Sequence, residues 1–392
     1  MMRAGTAWLV LALLLTGCAR QADTSAPAPG PAQAATGRLG QLLADPGGRG
    51  FARALEPREL VFPRDHGPHH EFRHEWWYFT GHLRAPGGER FGFELTFFRF
   101  ALAPPEFPEP GGAVRSAWRT REIYSAHFAI TDLGQREFRF AESYARGALG
   151  LAGAQVSPLR VWVDDASLET RADGRWRLHA RSPDDELTLD LQARQRPVLN
   201  GDRGFSRKST ATGAASYYYS MPRLEARGHL VRRREGAVAS ERFELDGLVW
   251  LDREWGSGAL GAEQAGWDWF ALQLDDGSTL MFYALRRRDG RRDAFSAGTW
   301  VDRAGHSRSL GGEDVLIEVT DHWESPRGGR YPARWRLAVP ELALELEISP
   351  ELADQELETT PRYWEGAVTV RGSHRGARTA GQGYVELVGY AR

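Results

Sequence analysis

The sequence predicts an all-β protein of two barrel- or sandwich-like domains, and three observations carry that prediction. Short runs rich in β-branched and aromatic residues recur along the chain, separated by turn signals such as Asp132-Leu133-Gly134 and Asp173-Gly174. No stretch sustains a helical period, and Glu351 to Glu358 offers only a helical turn or two. The chain has 392 residues, too many for one small domain and comfortable for two.

The most informative element is the stretch from His74 to Arg99, which reads as two strands around a turn at Pro86 to Gly88. Alternation puts Trp76 and Tyr78 on one face of the first strand and Glu75, Trp77 and Phe79 on the other. In the second strand, Phe91, Phe93, Leu95 and Phe97 oppose Gly92, Glu94, Thr96 and Phe98. Both faces carry aromatics, which suits a barrel or sandwich with a large apolar guest inside, and equally an ordinary hydrophobic core.

Ahead of this hairpin, residues 1–18 read as a lipoprotein signal peptide. Arg3 precedes an apolar run from Ala7 to Leu15, too short to span a bilayer as a mature helix, and Leu-Thr-Gly-Cys follows at Leu15 to Cys18. Cys18 is the sole cysteine and sits where a lipobox demands it, so lipidation at Cys18 is expected and a disulfide in the mature chain is excluded. The expected product is an exported, membrane-anchored lipoprotein; Ala19 after the anchor favours the outer membrane, at its periplasmic face. Cys18→Ser should release the protein or leave an uncleaved precursor; unchanged processing and membrane fractionation would contradict this. Residues 19–56, rich in Ala, Pro, Gly, Gln and Ser, read as a flexible tether.

The N-terminal β-domain is expected over residues 57–220. Histidines at His66, His69, His70 and His74 crowd its entry, but Pro63 and Pro68 break any helix and the spacing fits no zinc pattern, so no metal site is expected. Strand-like runs follow at Glu122 to Thr131, Glu137 to Ala141, Leu159 to Trp162, Trp176 to Ala180 and Glu186 to Gln192. Pro197 to Tyr219 is glycine-rich with little alternation and reads as a linker or long functional loop, which sets the boundary near 220. The C-terminal β-domain, 221–392, resumes the strand pattern. An internal repeat supports the division: Trp76-Trp77-Tyr78-Phe79 registers with Trp267-Asp268-Trp269-Phe270 at an offset of 191, and each following strand ends in an arginine, Arg99 or Arg286.

Composition narrows the function. Hydrophobic residues make up 42% and charged residues 26%, as a packed body requires, and the 14 Trp point toward apolar or stacked ligands. A net charge of -2 offers nucleic acid no footprint, and the arginine triplets at Arg232 to Arg234 and Arg286 to Arg288 read as solvated strand ends. No nucleophile elbow, phosphate loop, dinucleotide fingerprint or zinc helix is found, so no cofactor is expected and acid chemistry by carboxyls among aromatics remains. Asp268 shares a face with Phe270, Leu272 and Leu274, where desolvation would raise its pKa; pairing with an arginine is the competing account. Asp252 and Glu254 share the face of Trp250, and Tyr217, Tyr218 and Tyr219 could add a phenol or stack a ligand.

Several motifs together resemble one family: RDHG at Arg64 to Gly67, EWWYFTGHL at Glu75 to Leu83, GFELTFFR at Gly92 to Arg99, ASYYYS at Ala215 to Ser220, LDREW at Leu251 to Trp255 and GWDWFALQLDDG at Gly266 to Gly277. YWEG at Tyr363 to Gly366 and GYVEL at Gly383 to Leu387 extend it to the C-terminus. The chain resembles the carotenoid 1,2-hydratase superfamily, in its secreted, lipocalin-like AttH-type branch. The resemblance implies two lipocalin-like β-barrels, apolar ligands and, for the hydratase members, cofactor-free addition of water to a carbon–carbon double bond.

Two functions are thus expected. One is a membrane-tethered hydro-lyase acting on an isoprenoid or other lipid-like substrate, with Asp268, Asp252 and Glu254 as candidate acids and Trp76, Tyr78, Tyr218, Trp255, Trp267 and Trp269 lining its cavity. The other is a non-catalytic lipid-handling lipoprotein that could serve an envelope transporter. An Asp268 bridged to arginine outside a cavity would favour the second.

Overall fold

The computed structural model describes residues 50–105, 116–233, 239–258, 260–261 and 263–391. The lipobox, Cys18 and nearly all of the tether lie outside the described residues. The only helices among those described are three short 3-10 turns, at Arg64–His66, Gly312–Asp314 and Pro340–Leu342. The helical turn expected near Glu351 to Glu358 is not formed; Glu356–Leu357 instead pairs as a short strand.

The strands of the first sheet are β1 (His74–Arg84), β2 (Arg90–Ala101), β3 (Glu122–Asp132), β4 (Glu137–Arg146), β5 (Ala152–Gln155), β6 (Arg160–Val163), β7 (Ala166–Thr170), β8 (Trp176–Arg181), β9 (Asp185–Ala193), β10 (Val198–Leu199), β11 (Phe205–Arg207), β12 (Ala215–Arg232) and β13 (Glu241–Gly256). Those of the second are β14 (Gln264–Leu274), β15 (Thr279–Arg287), β16 (Ala297–Val301), β17 (Ser307–Gly311), β18 (Leu316–Glu324), β19 (Arg330–Val339), β20 (Leu344–Pro350), β21 (Glu356–Leu357), β22 (Tyr363–His374) and β23 (Ala377–Val388). All pairings are antiparallel, and each sheet curls toward a barrel as lipocalin-like domains do.

The two sheets repeat one topology. The first runs β4-β3-β2-β1-β13-β12-β9-β8-β7 before adding β6 and β5, and the second runs β17-β16-β15-β14-β23-β22-β20-β19-β18. In each, the first strand of the domain pairs with its last, and short strands append to the penultimate one: β10 and β11 to β12, β21 to β22. This position-by-position match supports the duplication read from the tryptophan runs.

The boundary expected near residue 220 is wrong. Residue 220 lies inside β12, and both β12 and β13 belong to the first sheet, where β13 pairs along the whole of β1. The change of sheet comes after Gly256. The glycine-rich segment is not a linker: Gly201 and Gly204 take positive φ values of 70° and 93°, folding the chain back so that β10 and β11 pair with β12. Arg232 is likewise no solvated strand end, being buried against Asp132 and Glu241.

Alternation builds each core. Trp77, Phe79, Phe91, Phe93, Leu95 and Phe97 fill the first barrel with Leu187, Leu189 and Tyr219. Phe270, Leu272, Phe282, Trp335 and Val385 fill the second. The barrel interiors are therefore packed with their own side chains, and the aromatics on the opposite faces serve another purpose. They meet between the barrels, where Tyr78, Tyr218, Trp250, Trp269, Ala271, Met281, Tyr283 and Tyr384 form a third buried cluster. Gly92 lets the barrels approach here, because a Cβ at that position would lie 2.5 Å from the Tyr384 hydroxyl and 2.9 Å from the Ala367 methyl.

Candidate functional site

Outward faces of both barrels enclose the site. On β1 the residues turned away from the first core are Trp76 and Tyr78; on β13 they are Asp252 and Glu254, while Arg253 and Trp255 turn inward. On β14 the outward residues are Trp267 and Trp269, and Phe270 turns inward. The result is a half-open cleft lined by Trp76, Tyr78, Tyr218, Trp267 and Trp269, with Asp252 and Glu254 on its wall. It contains about 1070 Å³ of unfilled volume, counting its solvent-open mouth. An apolar cleft at a domain junction with a few convergent polar groups is the usual form of a small-molecule site.

Asp252 is 3% exposed and accepts hydrogen bonds from the Tyr218 hydroxyl, from Ser220 Oγ at 2.5 Å and from Trp250 Nε1 at 2.7 Å. Burial pushes its carboxyl up and these three donors pull it back, leaving it at about 7. Glu254, its neighbour on the same face, accepts from Ser216 Oγ and lies 3.1 Å from Lys208 Nζ. Burial alone would lower the Lys208 pKa, but Glu254 beside it holds it raised, so Lys208 is an ammonium.

Across the cleft, Glu386 accepts from Trp267 Nε1 at 2.9 Å, and burial pushes its carboxyl up to about 8. It stands opposite Glu365 on β22, which accepts from the Tyr78 hydroxyl at 2.7 Å. Burial and the nearby Glu94 and Glu386 drive Glu365 well above the usual carboxylate range. Buried carboxyls this close cannot all ionise, so the seam stores protons at neutral pH.

The expected lining residues Trp76, Tyr78, Tyr218, Trp267 and Trp269 are together in the cleft with Asp252 and Glu254. Two expectations fail. Trp255 is wholly buried in the first core, stacked 3.8 Å from the His69 ring. Asp268 faces away from the cleft, with Arg286 Nε at 2.8 Å and the Tyr390 hydroxyl at 2.9 Å on its carboxylate. Its desolvated face is real, but the company is the second barrel's own core. Like Glu75 with Arg99, Asp268 pairs an acid on the first strand of a barrel with an arginine near the end of the second, but from two residues further along the strand. The entry histidines also have structural partners, His66 bonding the Tyr219 hydroxyl at 2.6 Å and His70 bonding Glu122 at 2.6 Å.

Sequence reasoning missed Lys208, Glu365 and Glu386. The two acids lie inside the YWEG and GYVEL motifs, and alternation along those strands would have put Glu365 with Tyr363, and Glu386 with Tyr384, on one face. Lys208 carries no periodic signal, since it projects from the irregular segment before β12.

The AttH-like family matches residues 53–390. The chain belongs to that family. A solved AttH protein from Nitrosomonas europaea is 36% identical, with a TM-score of 0.76 over 87% of this chain and 100% of that one. Kievitone hydratase from Nectria haematococca superposes with a TM-score of 0.65 over 89% of this chain and 99% of that one, and at 15% identity it shows the fold alone. The dehydratase asqC of Emericella nidulans is 26% identical over 227 residues, 54% of this chain. The chain spans only 60% of that relative's length.

The seam has a consequence for stability. Asp252 and Glu386 have pKa values raised by folding to about 7 and about 8, so the stability they contribute is complete below the unfolded carboxyl range and is lost as pH rises through those values. Glu94 and Glu365, also raised, act in the same direction. The unfolding free energy of the protein should therefore decline between pH ~6.5 and ~8, by an order of a few kcal/mol, above the range in which the depressed values of buried His66, His74 and His82 act in the opposite direction. In the double variant Asp252→Asn/Glu386→Gln that decline should be markedly shallower, as read by denaturant titration across the range. An identical slope would contradict the raised carboxyls.

Proposed function

We propose that this AttH-like protein is a hydro-lyase, adding water to or removing it from an apolar substrate bound in the cleft between its barrels. The observation that carries the reading is Asp252: a buried carboxyl poised near neutrality on the wall of an aromatic cleft, two residues from the ion-paired Glu254. General acids work best with a pKa near the operating pH. In the hydration direction Asp252 would give its proton to one alkene carbon, water would add to the other, and the water's proton would pass to Glu254. Dehydration is the reverse, with the proton returned to Asp252. The hydratase and dehydratase names of two relatives agree with this class, and the lining suits the isoprenoid or lipid-like skeleton expected from the sequence.

A lipid carrier would also use an aromatic cleft, but it gains nothing from an acid held at about 7. The loss of Asp268 as a candidate acid removes one argument for catalysis, and Asp252 replaces it. Export and tethering through Cys18, and service to an envelope transporter, remain proposals resting on the lipobox.

The test is incubation with a panel of apolar alkenes and alcohols in heavy-oxygen water, followed by mass analysis. The wild-type protein should incorporate oxygen into at least one member and Asp252→Asn should not. Labelling by the wild type no greater than that by Asp252→Asn across the panel would contradict the hydro-lyase reading.

A further inference from the structure

Lys208 is a charged side chain of the cleft wall that the proposed proton transfers do not use. It is 6% exposed, and its ammonium sits 4.2 Å from the centre of the Tyr283 ring and 5.2 Å from that of Tyr218. An ammonium has three N–H donors. Glu254 accepts one at 3.1 Å, and the flanking rings offer faces rather than lone pairs, because the Tyr218 hydroxyl is committed to Asp252 and the Tyr283 hydroxyl to Ser206 at 2.9 Å. Donor capacity is therefore left over on a charged group that lines an apolar cleft. A plain hydrocarbon filling the cleft would strip water from it and return nothing, which is costly for a charged donor.

The same placement bears on how charge develops. An ammonium beside the reacting carbons opposes a carbocation and favours a developing oxyanion. We infer that the substrate is an apolar molecule carrying a carbonyl conjugated to the reacting double bond, with its carbonyl oxygen held by Lys208. This rests on the hydro-lyase reading for its chemistry but makes its own claim about what binds. In the hydration direction, water bonds to the β-carbon as Glu254 takes its proton, and the double-bond pair shifts so that the carbonyl oxygen gains negative charge against the Lys208 ammonium. The enolate then takes the Asp252 proton at the α-carbon and the carbonyl re-forms. One water is consumed, Glu254 gains the proton that Asp252 loses, and the two exchange it through solvent at the cleft mouth.

The experiment compares benzalacetone with the hydrocarbon in which its carbonyl oxygen is replaced by methylene, a pair of nearly equal shape. Binding to the full-length protein is measured by equilibrium dialysis, which requires no turnover. The ketone should bind at least about tenfold more tightly, as one hydrogen bond to a charged donor implies. Lys208→Met, checked for a native circular dichroism spectrum, should bring the ratio close to one. A wild-type protein that binds the hydrocarbon equally or better would overturn the inference, as would a ketone preference that survives in folded Lys208→Met. If Lys208→Met does not fold, the wild-type ratio still decides. A ketone preference without oxygen incorporation would sink the hydro-lyase reading and leave the Lys208 assignment standing; incorporation without the preference would do the opposite.

Discussion

Asp252→Asn should reduce water addition or removal by roughly 100- to 10,000-fold, the span that a positioned general acid contributes, while ligand affinity changes by no more than a few-fold. The amide keeps the volume of the carboxyl and can still accept from Ser220 and Trp250, so the cleft wall stays in place. What it lacks is the transferable proton. A loss confined to kcat with KM little changed is the pattern of an interaction made in the transition state. Glu386→Gln serves as the comparison, because Glu386 also sits in the cleft with a raised pKa yet belongs to β23 of the second barrel, not to the strand that carries Asp252 and Glu254. An Asp252→Asn protein with near-native turnover would remove Asp252 from the mechanism.

The largest effect on stability should come from Glu75. Its carboxylate is fully buried in the first barrel, receives Arg99 on one oxygen and Arg253 on the other, and accepts the backbone N–H of His69 at 3.1 Å. Burial would raise its pKa, but the two guanidinium groups overcome that and hold it well below the usual carboxylate range. The arginines are anchored in turn, Arg99 to the carbonyls of His69 and Phe72, and Arg253 to that of Gly67 and over the Trp77 ring at 3.8 Å. Glu75→Gln removes the carboxylate touching both, and among the described residues Arg253 has no other ion-pair partner. Breaking a buried pair from one side costs about 3–5 kcal/mol, so denaturant unfolding of Glu75→Gln should shift by that order. Asp268→Asn in the second barrel should cost less, since Arg286 is partly exposed and can turn to solvent. Equal small losses in the two variants would contradict the assignment of Glu75 as the main ionic tie.

Much of the fold was legible because side chains in strands alternate, apart from irregularities such as the shift between Met221 and Leu224. That rule placed Trp76 with Tyr78, Asp252 with Glu254, and Phe91 with Phe93, and the structure keeps all three groupings. It could not say what the second face of each strand meets. The aromatics outside the first barrel meet the second barrel, where β1 and β2 pack against β23 and β22, a contact no local pattern encodes. Asp268 failed for the same reason: its face was read correctly, but Arg286 reaches it from the neighbouring strand. The misplaced boundary had a local cause. Glycines that permit tight folding of β10 and β11 onto β12 look, in sequence, like the glycines of a linker.

The central claim is that Asp252 is an acid poised near neutrality inside the cleft, and its own titration tests this most directly. Infrared difference spectra of wild-type protein against Asp252→Asn, recorded across the pH range, isolate that carboxyl's protonated band. The account predicts that the band disappears with an apparent pKa of about 7. A carboxyl already ionised below pH ~5, as an ordinary aspartate is, would contradict it.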